Sequence, residues 1–338
     1  MARRRPAPAH AFTHRAGVRI AGTNITCDAA GSATDLVFLS HAQAVGQGQR
    51  RSPLRRAGRQ ELLATERTLA LLGRQGEGLR RHALPAGYGR PFTLGDGRLE
   101  LLPSGHLPGA ASLLCEIGER RLLYAGAVNP GAPGFGAEPA ELRRADALCI
   151  DGTFGHPRFV FPPRDQSFIE LQGFVARCRA EGRPPVLLVA AFGPALEVAA
   201  ALQADGLGVR GHRSVVNAAT AFRAVGVAAP VVARFDRKLG GDEVLLWPPE
   251  ARTASMLNML GQPAFALLTG HEAPEGTARI PLPDRAGHDE LLSYIRATGA
   301  REVAVTGQHA DSFATELRAM KYEAYAVAPP TQMALPAG

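Results

Sequence analysis

Short apolar runs separated by polar turns fill the first half of the chain. The runs "GVRIAG", "TNITCD" and "TDLVFLS" follow one another between residues 17 and 40 and predict three strands. The last run is almost continuously apolar and ends at Ser40 and His41. This pattern is typical of a buried strand whose end delivers polar side chains to a site.

The next segments predict two hairpins, a further strand and a helix. A Gly-Asp-Gly turn within residues 92–106 and a Gly-Glu-Arg-Arg turn within residues 111–128 each separate two strand-like runs, so both predict hairpins. Residues 145–155 predict another buried strand that ends in a polar loop. Upstream, residues 58–76 carry four leucines at helical spacing and predict a helix. These leucines are Leu62, Leu63, Leu69 and Leu72.

From Gln166 to about Arg234 the pattern alternates between helix and strand. The helical spacing of "SFIELQGFVARCRAEG" precedes the apolar run "PPVLLVAAFG", and "PALEVAAALQADG" returns to helical spacing. Residues 289–327 repeat this order near the C-terminus. Alternation of this kind predicts a parallel α/β unit.

The length and composition are typical of a globular protein. The chain has 338 residues, of which 46% are hydrophobic and 20% are charged. No apolar run reaches the roughly 18 residues that would span a bilayer, and no apolar signal core follows the basic N-terminus. We therefore expect a cytoplasmic protein without a membrane partner. The four cysteines form no Cys-x-x-Cys pair, which predicts free, buried thiols.

The chain is basic, with a net charge of +7 and a pI of about 9.7. A basic surplus favours polyanions such as nucleic acid, and arginine-rich runs at residues 3–5, 50–56 and 78–82 are consistent with an anion-binding face. The alternative is a genome of high GC content, which encodes positive charge as arginine. Both interpretations remain open at this point.

Five segments of the chain each combine an apolar run with a polar loop. They are "DLVFLSHAQAVG", "LLPSGHLPGAASLL", "RRLLYAGAVNPG", "LCIDGTFGHPR" and "RIPLPDRAGHDELLSYIRATGAREVAVTG". The combination resembles the metallo-β-lactamase fold and, within it, the β-CASP nucleases. It is most similar to bacterial proteins described as mRNA 3′-end processing factor-like or ligase-associated exonucleases, and the resemblance extends over nearly the whole chain.

The resemblance implies an α/β fold, namely an αβ/βα sandwich with an inserted β-CASP-type α/β domain. Residues 1–165 and 265–338 would form the lactamase-like domain, and residues 166–264 would form the insertion. By the same resemblance, the active site would lie in the cleft between the two.

Active members of this family hold two zinc ions, and the resemblance shows which of their ligands this chain keeps. His41 and His106 match zinc-ligating histidines, and Asp151 matches an acid that would orient a ligating histidine. Asp284 also stays. The remaining ligand positions carry other residues, which are Gln43, Val45, Gly46, Ala127, Arg285 and Gly307.

Two imidazoles fall short of the three protein ligands that a catalytic zinc normally needs. Valine, alanine and glycine offer no side-chain lone pair, and arginine stays charged. We therefore expect no metal cofactor. The alternative is one zinc ion held by His41, His106 and one relocated histidine. The relocated candidates are His156, His212, His271, His288 and His309.

Each retained residue also has a purely structural interpretation. His41 and His106 could be histidines hydrogen-bonded at strand ends, and Asp151 could cap the turn that follows it. Arg285 could pair with Asp151 or Asp284, placing a salt bridge where metal charge once was.

The stretch "DGTFGHPRFVFPP" is both aromatic and basic. Beside a substrate cleft, Phe159 and Phe161 could stack on bases next to Arg158, and Arg285 could also contact nucleic acid. The alternative is a hydrophobic hinge between domains. Other chemistries find no support in the sequence, since it lacks a Gly-x-Ser-x-Gly elbow and a phosphate-binding loop.

Two hypotheses from different functional classes follow. In the first, the chain is a catalytically inactive paralogue of DNA repair or RNA processing. It would bind DNA or RNA, or partner a catalytic homologue, a ligase or a helicase. In the second, the chain is an active exonuclease or metallo-hydrolase with a rearranged mononuclear zinc site.

Overall fold

The computed structural model of the protein describes residues 10–14, 17–28, 36–44, 61–73, 80–252 and 255–328. Within these residues the strands form three sheets. The α-helices are α1 (Glu66–Leu71), α2 (Arg164–Ala180), α3 (Pro194–Ala204), α4 (Arg213–Ala224), α5 (His288–Thr298) and α6 (Ala310–Ala319). Three short 3₁₀ segments cover Arg80–His82, Pro249–Ala251 and Ser255–Leu260.

The first sheet comes from the N-terminal part of the chain, and its strands lie in sequence order. Its first two pairings are antiparallel and the later ones are parallel. Its strands are β1 (Phe12–His14), β2 (Val18–Ile20), β3 (Ile25–Cys27), β4 (Leu36–Phe38), β5 (Leu62–Ala64) and β6 (Ala83–Pro85).

The second sheet combines the two predicted hairpins with strands from the C-terminus. Its strands are β7 (Phe92–Leu94), β8 (Gly97–Pro103), β9 (Ala111–Ile117), β10 (Arg120–Gly126), β11 (Ala147–Asp151), β18 (Glu302–Thr306) and β19 (Glu323–Ala326), in the order β19-β18-β11-β10-β9-β8-β7. Both hairpins are confirmed, because β7 pairs antiparallel with β8, and β9 with β10.

The third sheet is entirely parallel and confirms the predicted α/β unit. Its strands are β12 (Pro185–Val189), β13 (Gly208–Gly211), β14 (Ala233–Arg234), β15 (Glu243–Trp247), β16 (Ala264–Thr269) and β17 (Ala278–Pro281), in the order β14-β13-β15-β12-β16-β17. The sheet continues past residue 264, where we expected the insertion to end. The reason is that β16 pairs along the whole length of β12.

The first and second sheets pack face to face. Strand β10 shows how: Leu122 and Tyr124 point into the core between the two sheets, while Leu123 and Ala125 face helices α5 and α6 on the other side. Because both faces are covered, the strand is apolar at nearly every position. This explains the continuous apolar runs in the sequence. The metallo-β-lactamase assignment itself stays a prediction.

The helix predicted over residues 58–76 is wrong in its first half. Leu62 and Leu63 lie in β5, which is held between the parallel strands β4 and β6. The helix begins only after Thr65, whose side-chain oxygen accepts a hydrogen bond from the Thr68 amide. Tertiary pairing overrides the helical spacing of the leucines here.

Two smaller expectations can be compared with the structure. All four cysteines are buried free thiols, as predicted. Among the described residues, no helix is long and apolar enough to cross a membrane.

Candidate functional site

The carboxyl ends of several strands meet at one edge of the second sheet. Asp151 at the end of β11 lies opposite Thr306 at the end of β18, and β10 runs parallel to β11 beside them. Each of these strands ends at a position singled out in the sequence or directly before one, namely Ala127 after β10, Asp151 in β11 and Gly307 after β18. The ends of β4 and β17 bring in the segments that carry His41 and Arg285. The motifs are therefore brought together, although they are far apart in the chain.

His41 and His106 form a close pair. Their ring centroids are 4.8 Å apart and the rings are nearly perpendicular, at 86°. His106 is 1% exposed, and its Nδ1 lies 2.9 Å from the carbonyl oxygen of Asp284. Because a carbonyl only accepts, Nδ1 carries the proton and Nε2 keeps a lone pair. Among the described residues, no group hydrogen-bonds that Nε2.

A chain of hydrogen bonds orients His41 from behind. Asp28 accepts from the Ser40 amide at 2.8 Å, from the Ser40 hydroxyl at 2.6 Å and from the Tyr124 hydroxyl at 2.8 Å. The Ser40 Oγ lies 2.8 Å from His41 Nδ1. When Asp28 is ionised, Ser40 must donate to it and accept from His41. His41 then also presents an unprotonated Nε2.

Asp28 belongs to the site although the family resemblance does not predict it. The available signal was an acid directly after the buried strand β3, at a backbone φ of 48° that few residues adopt. Burial raises the pKa of Asp28, and the hydrogen bonds from Ser40 and Tyr124 oppose that rise. Burial likewise raises the pKa of Tyr124 well above its ordinary value.

Arg285 occupies the other half of the site and binds two acids at once. Its Nε and Nη2 donate to the two carboxylate oxygens of Asp284 at 3.0 and 3.1 Å, and its Nη1 donates to Asp151. The pairing predicted for Arg285 is therefore confirmed with both candidate acids. Partial burial raises the pKa of Asp284, but the guanidinium of Arg285 outweighs this effect and holds that pKa below its ordinary value.

The two imidazoles are kept neutral by the same surroundings. Burial lowers the pKa of His41 well below its ordinary value, and His106 and Arg285 lower it further. Burial also lowers the pKa of His106, with Arg285 adding to that shift and Asp284 opposing it. The site thus combines two neutral rings with one cation shared by two anions.

The described residues do not fit a two-zinc centre. Asp151 and Asp284 are engaged by Arg285, Asp28 is engaged by Ser40 and Tyr124, and a guanidinium cannot ligate a cation. Gly307 has a φ of 89°, and a side chain there would run into Asp151 and Thr153. Ala127 is buried, and Gln43 donates to the Phe192 carbonyl at 3.4 Å. In the part of the chain that the structure describes, no group of three or more His, Cys, Asp or Glu could hold a metal ion.

Some predicted positions lie elsewhere. Val45 and Gly46 fall outside the described residues. His288 is bound through Nε2 to Glu316 at 2.9 Å, and His212 caps α4 by accepting from the Ser214 amide. Neither of these two is placed to complete a site with His41 and His106.

A basic and aromatic surface flanks the site. Arg158 is exposed, its guanidinium lies 4.6 Å from the centre of the Phe159 ring, and its Nη2 lies 3.5 Å from His309 Nε2. Within the described residues no carboxylate pairs with Arg158. His156 and His309 lie together here, with ring centroids 5.7 Å apart.

Phe159 does not fit the base-stacking role predicted for it. The ring is 2% exposed, because Phe154 and Phe161 pack beside it at centroid distances of 5.2 and 6.2 Å and Arg158 covers it. The alternative of hydrophobic packing describes this residue. The partly exposed aromatic ring of the segment is that of Phe161.

The chain matches no family model. It is 29% identical over 284 residues to a protein of Opitutus terrae named a probable DNA ligase. The similar region covers 81% of this chain but only 28% of the relative, so the chain spans less than a third of that protein's length.

Two chemical properties follow from this geometry. Neutral imidazoles with unprotonated Nε2 atoms accept hydrogen bonds, so a group that they bind must be a donor. The charge of Arg285 is already shared by Asp151 and Asp284, which leaves these three side chains with no surplus of positive charge.

Proposed function

We propose that this protein is a DNA-binding, catalytically degenerate relative of the β-CASP nucleases that acts beside a DNA ligase. The observation that carries the proposal is the position of Arg285. Its single positive charge is shared by Asp151 and Asp284 at the centre of the strand-end site, which comprises Asp28, His41, His106, Asp151, Asp284 and Arg285. In a metal-dependent nuclease those acids would serve a metal ion.

The basic flank supports nucleic acid as the ligand. Arg158 projects from the surface next to the site without a carboxylate partner in the described chain, and the whole chain carries a net charge of +7. Free arginines that track a phosphate backbone supply most of the affinity of non-specific binding. The predicted nucleic-acid contact of Arg158 therefore keeps its physical basis.

The similarity to a protein named a probable DNA ligase supports DNA over RNA, and a ligase over a helicase as partner. In that relative, a region like this chain is joined to a much longer remainder on one polypeptide. Covalent linkage raises the effective concentration of two modules that work on one substrate. By analogy, the region that this chain represents would act on the same DNA ends as a ligase.

The hydrolase hypothesis remains as the second candidate, and one observation favours it. His106 Nε2 is a buried lone pair without a partner in the described chain, and the free Nε2 of His41 lies in the same site. Such lone pairs are the donors that zinc uses in proteins. Zinc analysis and a cleavage assay separate this hypothesis from the first.

The test combines DNA binding and cleavage on the purified full chain. We expect single-stranded and nicked DNA to bind, and we expect no cleavage with zinc, manganese or magnesium added. Arg158→Ala should weaken DNA binding and reduce the dependence of log K on log salt by roughly one, since one phosphate contact is lost.

Arg301→Ala is the matched control, because Arg301 is an exposed arginine at the amino end of β18, away from the site. Equal losses in both variants would mean that general charge, and not this surface, binds DNA. Zinc-dependent cleavage that His106→Ala abolishes would overturn the proposal in favour of the hydrolase.

A further inference from the structure

A cleft of about 450 Å³ opens beside the strand-end site. Its walls come from three segments, which are residues 129–132, 159–167 and 281–290. Arg285 belongs both to this cleft and to the strand-end site. The volume falls within the roughly 300–1,000 Å³ of small-molecule sites.

One wall of the cleft presents an aromatic ring in a fixed position. Phe161 is partly exposed, and Phe154 packs against it edge-on with centroids 5.2 Å apart. Gly270 and Gly287 lie so close that a side chain on either would meet the ring at 2.8 Å. The ring is therefore supported from behind and keeps its orientation, as a stacking platform requires.

The same cleft contains an unsatisfied amide. Asn129 lines it and is 5% exposed, and its Nδ2 has no hydrogen-bond partner among the described residues. Buried amides are normally paired, since leaving one unpaired costs stability. Asp289, with a 68% exposed side chain, and Glu290 add carboxylate acceptors to the same lining.

These features match one chemical class. A nucleobase has a flat face for stacking, acceptors for an amide donor and amino or imino groups for a carboxylate. A peptide would satisfy the amide through its backbone carbonyls, but it offers a flat face only where it carries an aromatic side chain.

We propose that this cleft binds the terminal nucleoside of a DNA strand. The base stacks on Phe161, one of its acceptors pairs with Asn129, and its donor edge faces Asp289. The inference rests on the proposed function and deepens it, because it places the strand end next to Arg285 and the histidine pair.

The test uses the four uncharged deoxynucleosides and a short single-stranded DNA with the full chain. Nucleosides carry no phosphate, so their binding reports on the cleft alone. Asn129→Asp keeps the shape of the side chain and removes the donor, and it should weaken binding of at least one nucleoside about threefold to tenfold. Val160→Trp should fill the cleft from a 56% exposed position and abolish nucleoside binding.

Ile169→Trp is the control, because Ile169 is 65% exposed on α2 and does not line the cleft. It should leave nucleoside binding unchanged. If DNA binds through Arg158 but nucleosides do not bind, or bind equally to all variants, the inference is overturned while the proposed function stands. If nucleosides bind and respond to Asn129→Asp but DNA does not bind, the proposed function fails, and the cleft is a site for free nucleosides and not for a DNA strand end.

Discussion

The two halves of the strand-end site differ in how completely their polar groups are paired. In the charged half, Arg285 donates to both Asp284 oxygens and to Asp151. In the imidazole half, His106 Nε2 has no partner within the described chain. The two partly buried acids therefore have a cationic partner, whereas the imidazole lone pair has none among the described residues. A charge must be neutralised, whereas an unpaired imidazole lone pair is tolerated at lower cost.

Breaking the charged half should have the largest effect. Arg285→Met keeps the bulk of the side chain but leaves Asp151 and Asp284 without their cation. Removing one partner of a buried ion pair costs about 3–5 kcal/mol, and partial exposure of all three side chains reduces this to roughly 2–4 kcal/mol in the free energy of unfolding. Urea denaturation at pH 7 measures it.

Arg301→Met controls for the loss of an exposed arginine and should change the free energy of unfolding by less than about 0.5 kcal/mol. Equal stability of Arg285→Met and the parent would show that the three-residue network contributes nothing to the fold. In that case solvent would screen the two acids.

Converting the charged half should allow the imidazole half to bind a metal. Arg285→His removes the cation, frees both carboxylates and adds a third imidazole near His41 and His106. We expect zinc to stabilise this variant, by about 2.7 kcal/mol at a zinc concentration 100 times the dissociation constant, and not the parent. Thermal unfolding with and without zinc measures the difference.

The double variant Arg285→His, His106→Ala should bind zinc more weakly and lose part of this stabilisation, because one of the three imidazoles is gone. Equal zinc stabilisation of the parent and of Arg285→His would contradict the idea that Arg285 excludes the metal. It would also strengthen the hydrolase hypothesis.

The sequence predicted those elements whose conformation is determined by residues adjacent in the chain. The Gly-Asp turn between β7 and β8 determines its hairpin, because Gly95 takes a φ of 58° that the tight turn requires. The strand at Leu62–Ala64 was missed for the opposite reason. Its identity depends on β4 and β6, which lie on either side of it in space, and short apolar segments do not reveal their neighbours.

Most residues of the site could be predicted from the sequence, but the contacts between them could not. The sequence suggested one ionic partner for Arg285, and the structure provides two, one of them 134 positions away. Asp28 gave little signal, because its role depends on Ser40 and Tyr124 converging on it. Phe159 and Phe161 look equivalent in the sequence, and only packing shows that the first is enclosed and the second is partly open.

The smallest expected effect concerns the imidazole half alone and appears as a pH dependence. Burial lowers the folded-state pKa of His106, so the unfolded chain binds a proton at this residue at a higher pH than the folded chain does. The neutral ring of His106 therefore contributes to the free energy of unfolding above pH 6.5, which is about the pKa of histidine in the unfolded chain. This contribution is lost as the pH falls towards the lower pKa of His106 in the folded protein.

The free energy of unfolding should fall by up to about 1.4 kcal/mol per pH unit below pH 6.5 from this residue. His106→Gln should remove that part of the slope between pH 6.5 and 5, whereas the exposed control His82→Gln should retain it. An unchanged slope in His106→Gln would mean that the ring is protonated in the folded protein. The contrast between a charged half and a neutral half of the site would then not hold, because the imidazole would share the positive charge with Arg285.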